Sequence, residues 1–409
     1  MSLETALTGL LGSQTGLDTV SNDLANASTT GFKSQTALFS AIYAANSHNT
    51  PGIGVQTKNL DTNFSQGDLI ATGNPLDAAI QGDGFFVVSA NGQQQYTRDG
   101  SFQLSSTGVL QTASGAAVLG YAENANGTAS GALQSLTVNT GAVPAQATSQ
   151  LGLTLNLNSS DPVIPAGTAF NAADPATYDE TTSVTTYDSL GNANTTQLYL
   201  VQNPVVQGSG DASSWTVYAQ PVTASGADAG AVQTLGTLGF NTNGQLVSGS
   251  PATLNVDWGN GAAASSIAFD FTGTTLGAQP FAIAGTTNNG YAPGNYEGTT
   301  ITPGGQVQST YSNGQTINAG TLGIANFINQ QGLQAESGNL YAQSTTSGTP
   351  VINAPGTGQA GTVSAGNLEA SNASTSALLV QLIQYQQAYQ ANATVIQTEQ
   401  SDSTRLTQI

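Results

Sequence analysis

The sequence predicts a multidomain, mainly β protein with α-helical termini, whose N- and C-terminal helices pair as a coiled coil around nested, discontinuous β domains. Three observations predict it. Apolar or tolerated residues recur at alternating four- and three-residue steps at both ends, the middle switches to period two with hairpin turns, and Gly/Pro-rich stretches part the two patterns. A heptad seam cannot bury itself alone, so each terminus needs a partner helix.

Residues 1–27 read as a helix opening on Ser2, with seam positions Leu3, Leu7, Leu10, Gln14, Leu17, Ser21 and Leu24. Gly9, Gly12 and Gly16 each cost up to about 1 kcal/mol against alanine in a helix interior. This helix is therefore expected to order only on packing. Residues 28–68 form a connector, with a turn at Ser28–Lys33, a short apolar stretch at 38–43 and a polar loop through Pro51–Gly54.

From Leu69 the period becomes two. Ala78-Ala79-Ile80, Phe85–Val88 and Gln95–Arg98 read as short strands, and Asn-Gly pairs at 91, 126, 243, 260, 289 and 313 signal hairpins because both residues tolerate positive φ. Residues 69–142 and 285–346 are read as one β domain, interrupted by an outer β domain at 143–284. A second Gly/Pro connector, 347–366, leads to the C-terminal segment 367–409, which has neither Gly nor Pro. Its seam is Leu378, Leu382, Tyr385, Tyr389, Asn392, Ile396, Glu399, Ser403 and Leu406. If the ends pair, segments at equal depth from each end pair too.

Composition removes whole classes of function. The chain has 409 residues with 4 Lys and Arg, 23 Asp and Glu and a formal charge of −19, which repels nucleic acids and anionic membranes. No cysteine means no disulfide and no thiolate metal site. The one histidine, His48, sits in a polar run and reads as a solvated loop residue, which leaves no partner for a serine nucleophile. The acidic neighbours Asp179 and Glu180 would point to opposite faces of a strand, the wrong placement for a glycosidase pair. No enzyme activity, catalytic residue, metal or cofactor is expected. No run reaches the ~20 apolar residues of a membrane span, so no membrane insertion is expected, and the start lacks a Sec-type signal.

Several motifs have plain physical readings. In Gly82-Asp83-Gly84 the glycines allow a tight turn before the Phe85-Phe86 strand, and Asn74-Pro75 starts a turn because the residue before proline leaves the α region. The stretches Asn22–Lys33, Gly67–Phe86 and Tyr96–Phe102 nevertheless carry a resemblance. So do Leu368-Glu369-Ala370-Ser371-Asn372 and Tyr389-Gln390-Ala391-Asn392. Together they resemble, in order along nearly the whole chain, the bacterial flagellar rod and hook axial proteins. The residues that carry the resemblance include Asn26, Gly31, Phe32, Gly73, Asn74, Asp77, Gly82, Gly84, Phe85 and Phe86. Tyr187-Asp188-Ser189-Leu190-Gly191-Asn192, Phe240–Leu246 and Asn289–Gly294 are similar to elements of hook proteins in particular. Ala373-Ser374-Thr375 and Gln386-Gln387-Ala388 depart from the family pattern. The second lacks the usual arginine, so no inter-subunit charge pair is carried over there.

The resemblance implies a structural subunit that assembles helically with copies of itself into a flexible curved tube, a universal joint transmitting torque from rod to filament. By the same resemblance its partners are the distal rod, hook cap, hook-length ruler and hook–filament junction proteins and the flagellar type III export apparatus. Its place is extracellular, in the flagellum. A distal rod protein of the same family is the alternative, and an extracellular β-rich binding module a third; only the last would need no heptad on its termini.

Overall fold

In the computed structural model the described residues are 2–43, 52–123, 129–204 and 211–407; His48, Pro51 and the Asn126-Gly127 turn lie outside them. Two compact units are present. The first comprises Met1–Thr140, Glu297–Thr310 and Thr316–Ile409, and the second, inserted into it, comprises Gly141–Tyr296 and Tyr311–Gln315.

In the first unit, helix α1 (Ser2–Ala25) packs against helix α2 (Thr375–Thr407). Helix α2 starts eight residues later than the lack of Gly and Pro after Gly366 suggests. Asn367–Glu369 is a strand instead, and the helix begins where Leu378 N–H bonds to Ser374 O at 2.9 Å. Absence of helix breakers permits a helix but does not force one where a neighbouring strand supplies backbone partners. After α1, strands β1 (Gln35–Ile42) and β2 (Gly54–Thr62) form an antiparallel hairpin. A two-stranded sheet is marginal alone, and this one leans on α1: Thr8 Oγ1 accepts from Val55 N–H, and Gly12 lies beside Val55 and Phe39.

The outgoing and returning chains then pair as antiparallel strands. Strand β3 (Leu69–Ala71) pairs with Asn367–Glu369, and β4 (Ala78–Gln81) pairs with Thr362–Ala365. Residues 347–366, read from sequence as a Gly/Pro connector, are therefore partly strand, with Ser347 and Val363 buried. Strands β5 (Phe85–Ala90) and β6 (Gln93–Thr97) meet at Asn91-Gly92, both in the left-handed region at φ 52° and 79°. This is the turn the Asn-Gly signal specifies. β5 also pairs with Ala117–Glu123 and Ile324–Asn326 within a 13-stranded sheet. Under it Phe85, Val87, Tyr96, Ala325, Phe327 and Tyr341 form a buried core with edge-on ring contacts.

In the second unit, two five-stranded sheets share one core. The strand Ser213–Val222 alternates buried and half-buried residues along its whole length, and Trp215, Phe240, Phe269 and Phe271 are fully buried. That alternation is the period-two pattern of a strand with one face inward. The Asp188 loop closes this unit locally: burial works to raise the carboxyl, but hydrogen bonds from Asn192, Asn260 and Asn194 outweigh it and hold its pKa at about 2.

Candidate functional site

Two features at the chain ends stand out: a helix pair with apolar faces in solvent, and a buried charge cluster beneath it. Both follow from residues spaced at opposite ends of the sequence.

The side of α1 that meets α2 combines glycines with larger apolar residues. A Cβ on Gly16 would stand 2.5 Å from the Tyr385 ring and one on Gly9 would stand 2.9 Å from the Asn392 amide. Two of the three glycines that weaken the helix on its own, Gly9 and Gly16, thus let α2 pack closely. Val20 and Leu378 are buried in this contact, with Leu24, Ala27, Phe32, Leu382 and Tyr385 packed around them. Of the other seam positions read from sequence, Leu10, Leu17, Tyr389, Asn392, Ile396 and Glu399 are half-buried, Gln14, Ser21 and Ser403 are exposed, and the Leu406 side chain lies outside the described residues. Leu3 and Leu7 are 44% and 49% exposed and, with Leu11 at 57%, form an apolar stripe at i, i+4, i+8. On α2, Leu379, Val380, Ile383 and Val395 are exposed as well.

The turn residues of the motifs hold backbone close to backbone. Gly31, at φ 67°, donates its N–H to Glu369 O at 2.8 Å, and a Cβ there would lie 2.6 Å from Asp99 N. Asn26 Nδ2 donates to Asn22 O at the end of α1. Asp77 accepts from Asn74 Nδ2 and Thr72 Oγ1, while its carbonyl takes Gly366 N–H, beside the Gly73 turn. Gly84 passes under Ile324, and Phe85 and Phe86 are fully buried.

These turns converge on three charged side chains that lie within the motif stretches but were not singled out as site residues. Lys33 Nζ meets Glu369 Oε1 at 2.6 Å, and Arg98 meets Glu369 Oε2 at 3.1 Å, with all three side chains essentially out of solvent. Gly67 N–H also donates to Glu369 Oε1, Lys33 donates to Ser65 O, and Arg98 donates to Gly82 O. The guanidinium lies 5.4 Å above the Phe85 ring. Burial pushes the Lys33 ammonium below its ordinary value, Glu369 opposes that, and Arg98 adds to it. Burial also drives the neighbouring Tyr341 phenol up to about 12. The signal available in the sequence was rarity: half of the chain's four Lys and Arg residues are spent here.

A second buried carboxyl, Asp23, accepts from Gln35 N–H with both oxygens, at 2.9 and 3.2 Å. Burial pushes its pKa up to about 6, with the Gln35 bond opposing. A raised carboxyl pKa stabilises the fold fully below the unfolded value near 3.8, and that contribution is lost as pH rises through about 6. Wild-type stability is therefore expected to fall by about 2 kcal/mol from this group between pH 4 and 7. Denaturant midpoints against pH should show Asp23→Asn losing that part of the slope.

Asp179 and Glu180 form no reactive pair. Asp179 Oδ2 is taken by Gln202 N–H at 2.7 Å, and burial raises the pKa of both carboxyls. Among the described residues no group of three His, Cys, Asp or Glu is placed to hold a metal ion, and no helix is long and apolar enough to cross a membrane.

Comparison with known proteins covers the same segments. Residues 3–33 match the family described as Flagella basal body rod protein, 79–150 the Flagellar hook protein FlgE/F/G D1 domain, 156–291 the Flagellar basal body protein FlaE D2 domain, and 364–409 the Flagellar basal body rod FlgEFG protein C-terminal. The chain is 36% identical to the flagellar hook protein FlgE of Escherichia coli K12, over 98% of this chain and 97% of that one. It is 35% identical to the hook protein of Salmonella typhimurium over the same shares, and 30% identical to that of Treponema pallidum over 97% and 96%. The crystal structure of Helicobacter pylori flagellar hook protein FlgE2 has the same fold over 74% of this chain and 99% of that one, at a TM-score of 0.54 and 14% identity.

Proposed function

Because this chain belongs to the flagellar hook and rod axial protein family, we propose that it is the structural subunit of a hook, assembling helically with copies of itself into the curved tube that couples rod to filament. The observation that carries this reading is the helix pair. It is closed on one side, yet leaves Leu3, Leu7 and Leu11 on α1 and Leu379, Val380 and Ile383 on α2 in solvent. Contiguous apolar stripes on a soluble chain mark interaction surfaces, and helices with two apolar sides pack into multi-helix layers. In the assembled tube the seam residues Leu3 to Leu24 and Leu378 to Leu406 then serve as a continuous coiled-coil layer. The fourfold division of the chain, with terminal pair, connectors, inner β domain and outer β domain, gives that tube its concentric shells.

Hook relatives that match through the outer β segment 156–291 favour the hook over a distal rod protein. Rod, cap, length-ruler and junction proteins and the export apparatus are the partners this reading brings, with the tube outside the cell envelope. Immunogold labelling of isolated hook–basal bodies with an antibody to residues 150–280 is expected to decorate the curved segment; gold confined to the straight segment would mean a rod protein. The triple variant Leu3→Ser, Leu7→Ser, Leu11→Ser is expected to keep the wild-type unfolding midpoint while losing polymerisation by negative-stain microscopy. Normal tubes from it would remove the α1 stripe from the assembly surface.

A further inference from the structure

The cluster at the chain ends holds more charge than an ion pair accounts for. Lys33 and Arg98 share one carboxylate, Glu369, and among the described residues the charged groups acting on Lys33 are Glu369 and Arg98. Among the described residues one buried positive charge therefore has no counter-charge, which is a costly state. A carboxamide stands beside it. Asn372 Nδ2 donates to Ser65 O at 3.0 Å, the oxygen that also takes Lys33 Nζ at 2.7 Å, so amine and amide lie within two hydrogen-bond lengths. Asn372 Oδ1 accepts Ser34 N–H at 2.8 Å, a donor that polarises the carbonyl. Glu369 Oε1, 2.6 Å from Nζ, is placed to take a proton from the ammonium.

We propose that Lys33 and Asn372 become joined by an intramolecular isopeptide bond that the folded chain forms itself. Lys33 gives one proton to Glu369, and the freed lone pair on Nζ attacks Asn372 Cγ. The oxygen of the tetrahedral intermediate takes its negative charge facing Ser34 N–H. The Cγ–Nδ2 bond then breaks, and the departing NH2 collects the proton held by Glu369 and the one further proton that Nζ sheds, leaving as an ammonium ion. An ammonium and a carboxamide become a secondary amide and a free ammonium ion, with no oxidant or co-reactant. The surplus charge leaves with the ammonium, and Glu369 remains paired with Arg98 alone. The product also suits the site: its N–H keeps Ser65 O as acceptor, and its carbonyl keeps Ser34 N–H. The link would close the chain from residue 33 to residue 372, tying both terminal helices to the β body after folding.

Intact mass of the folded, purified full chain, taken after denaturation, is expected about 17 Da below the sequence mass, one ammonia lost. Trypsin should fail to cut after Lys33, and a peptide joining the Lys33 and Asn372 segments should be recovered. Asn372→Ala, checked as folded by circular dichroism, should show its full sequence mass and regain the cut; Glu369→Gln should do the same. A wild-type mass equal to the sequence mass, with both residues on separate peptides, overturns the proposal. So does a loss of 17 Da that persists in Asn372→Ala, since that places the lost ammonia at another asparagine, such as one of the Asn-Gly pairs.

Discussion

Glu369→Ala is expected to lower the stability of the first unit by about 3–5 kcal/mol, the range seen when one partner of a buried ion pair is removed. Glu369 is fully buried and holds Lys33, Arg98 and Gly67 N–H at once. Without it two cations stay in a site whose side chains have no access to water, and a backbone N–H is left without its acceptor. Lys33→Met makes the decisive comparison. It removes a cation but leaves Glu369 paired with Arg98, so its loss is expected to be clearly smaller. Both variants lack the proposed covalent link, so the difference in their urea midpoints reads the loss of the shared carboxylate, with its Gly67 N–H bond, against the loss of one cation. Equal losses would mean that the cluster matters for packing and not for charge.

The second large effect is expected at Gly100. A Cβ there would lie 1.6 Å from the Ala78 carbonyl oxygen and 3.0 Å from the Phe86 ring. Ala78 N–H bonds to Gly100 O at 3.0 Å, and Asp77 and Ser101 form the adjoining bridge, so the two backbones are pinned together on both sides. The obstructing atom is backbone and cannot swing away. Gly100→Ala is expected to cost about 3 kcal/mol or more, at the upper end of overpacking effects. Gly298→Ala is the control within the same unit, because its Cβ would meet nothing within 4 Å; it should change stability by about 0.5 kcal/mol or less. A Gly100→Ala midpoint close to that of the control would show that β4 can move away from the Gly100 turn without loss.

Particular elements show what local pattern carries. The Phe85–Val88 strand, the Asn91-Gly92 turn and the terminal helices were legible because each depends on residues within a few positions of one another. Conformational preference and periodicity act over that range. The motif turns at Gly82 and Gly84 were legible as turns for the same reason. What they were for was not, since Gly84 makes room for Ile324.

The α1 contact shows the limit most clearly. Counting leucines on a four-and-three repeat marks Leu3 and Leu7, which stay exposed, while Gly9 and Gly16 lie against Asn392 and Tyr385 of α2. Helix periodicity states that an apolar stripe exists; which side a partner covers depends on how closely two backbones can approach. By itself the sequence determined the mainly β class, the helical ends and the family. Only the tertiary structure decided that Lys33, Arg98 and Glu369 meet, because the first and last are 336 residues apart. No local rule reaches that far, and a buried charge becomes legible only when the groups that exclude water from it are in place.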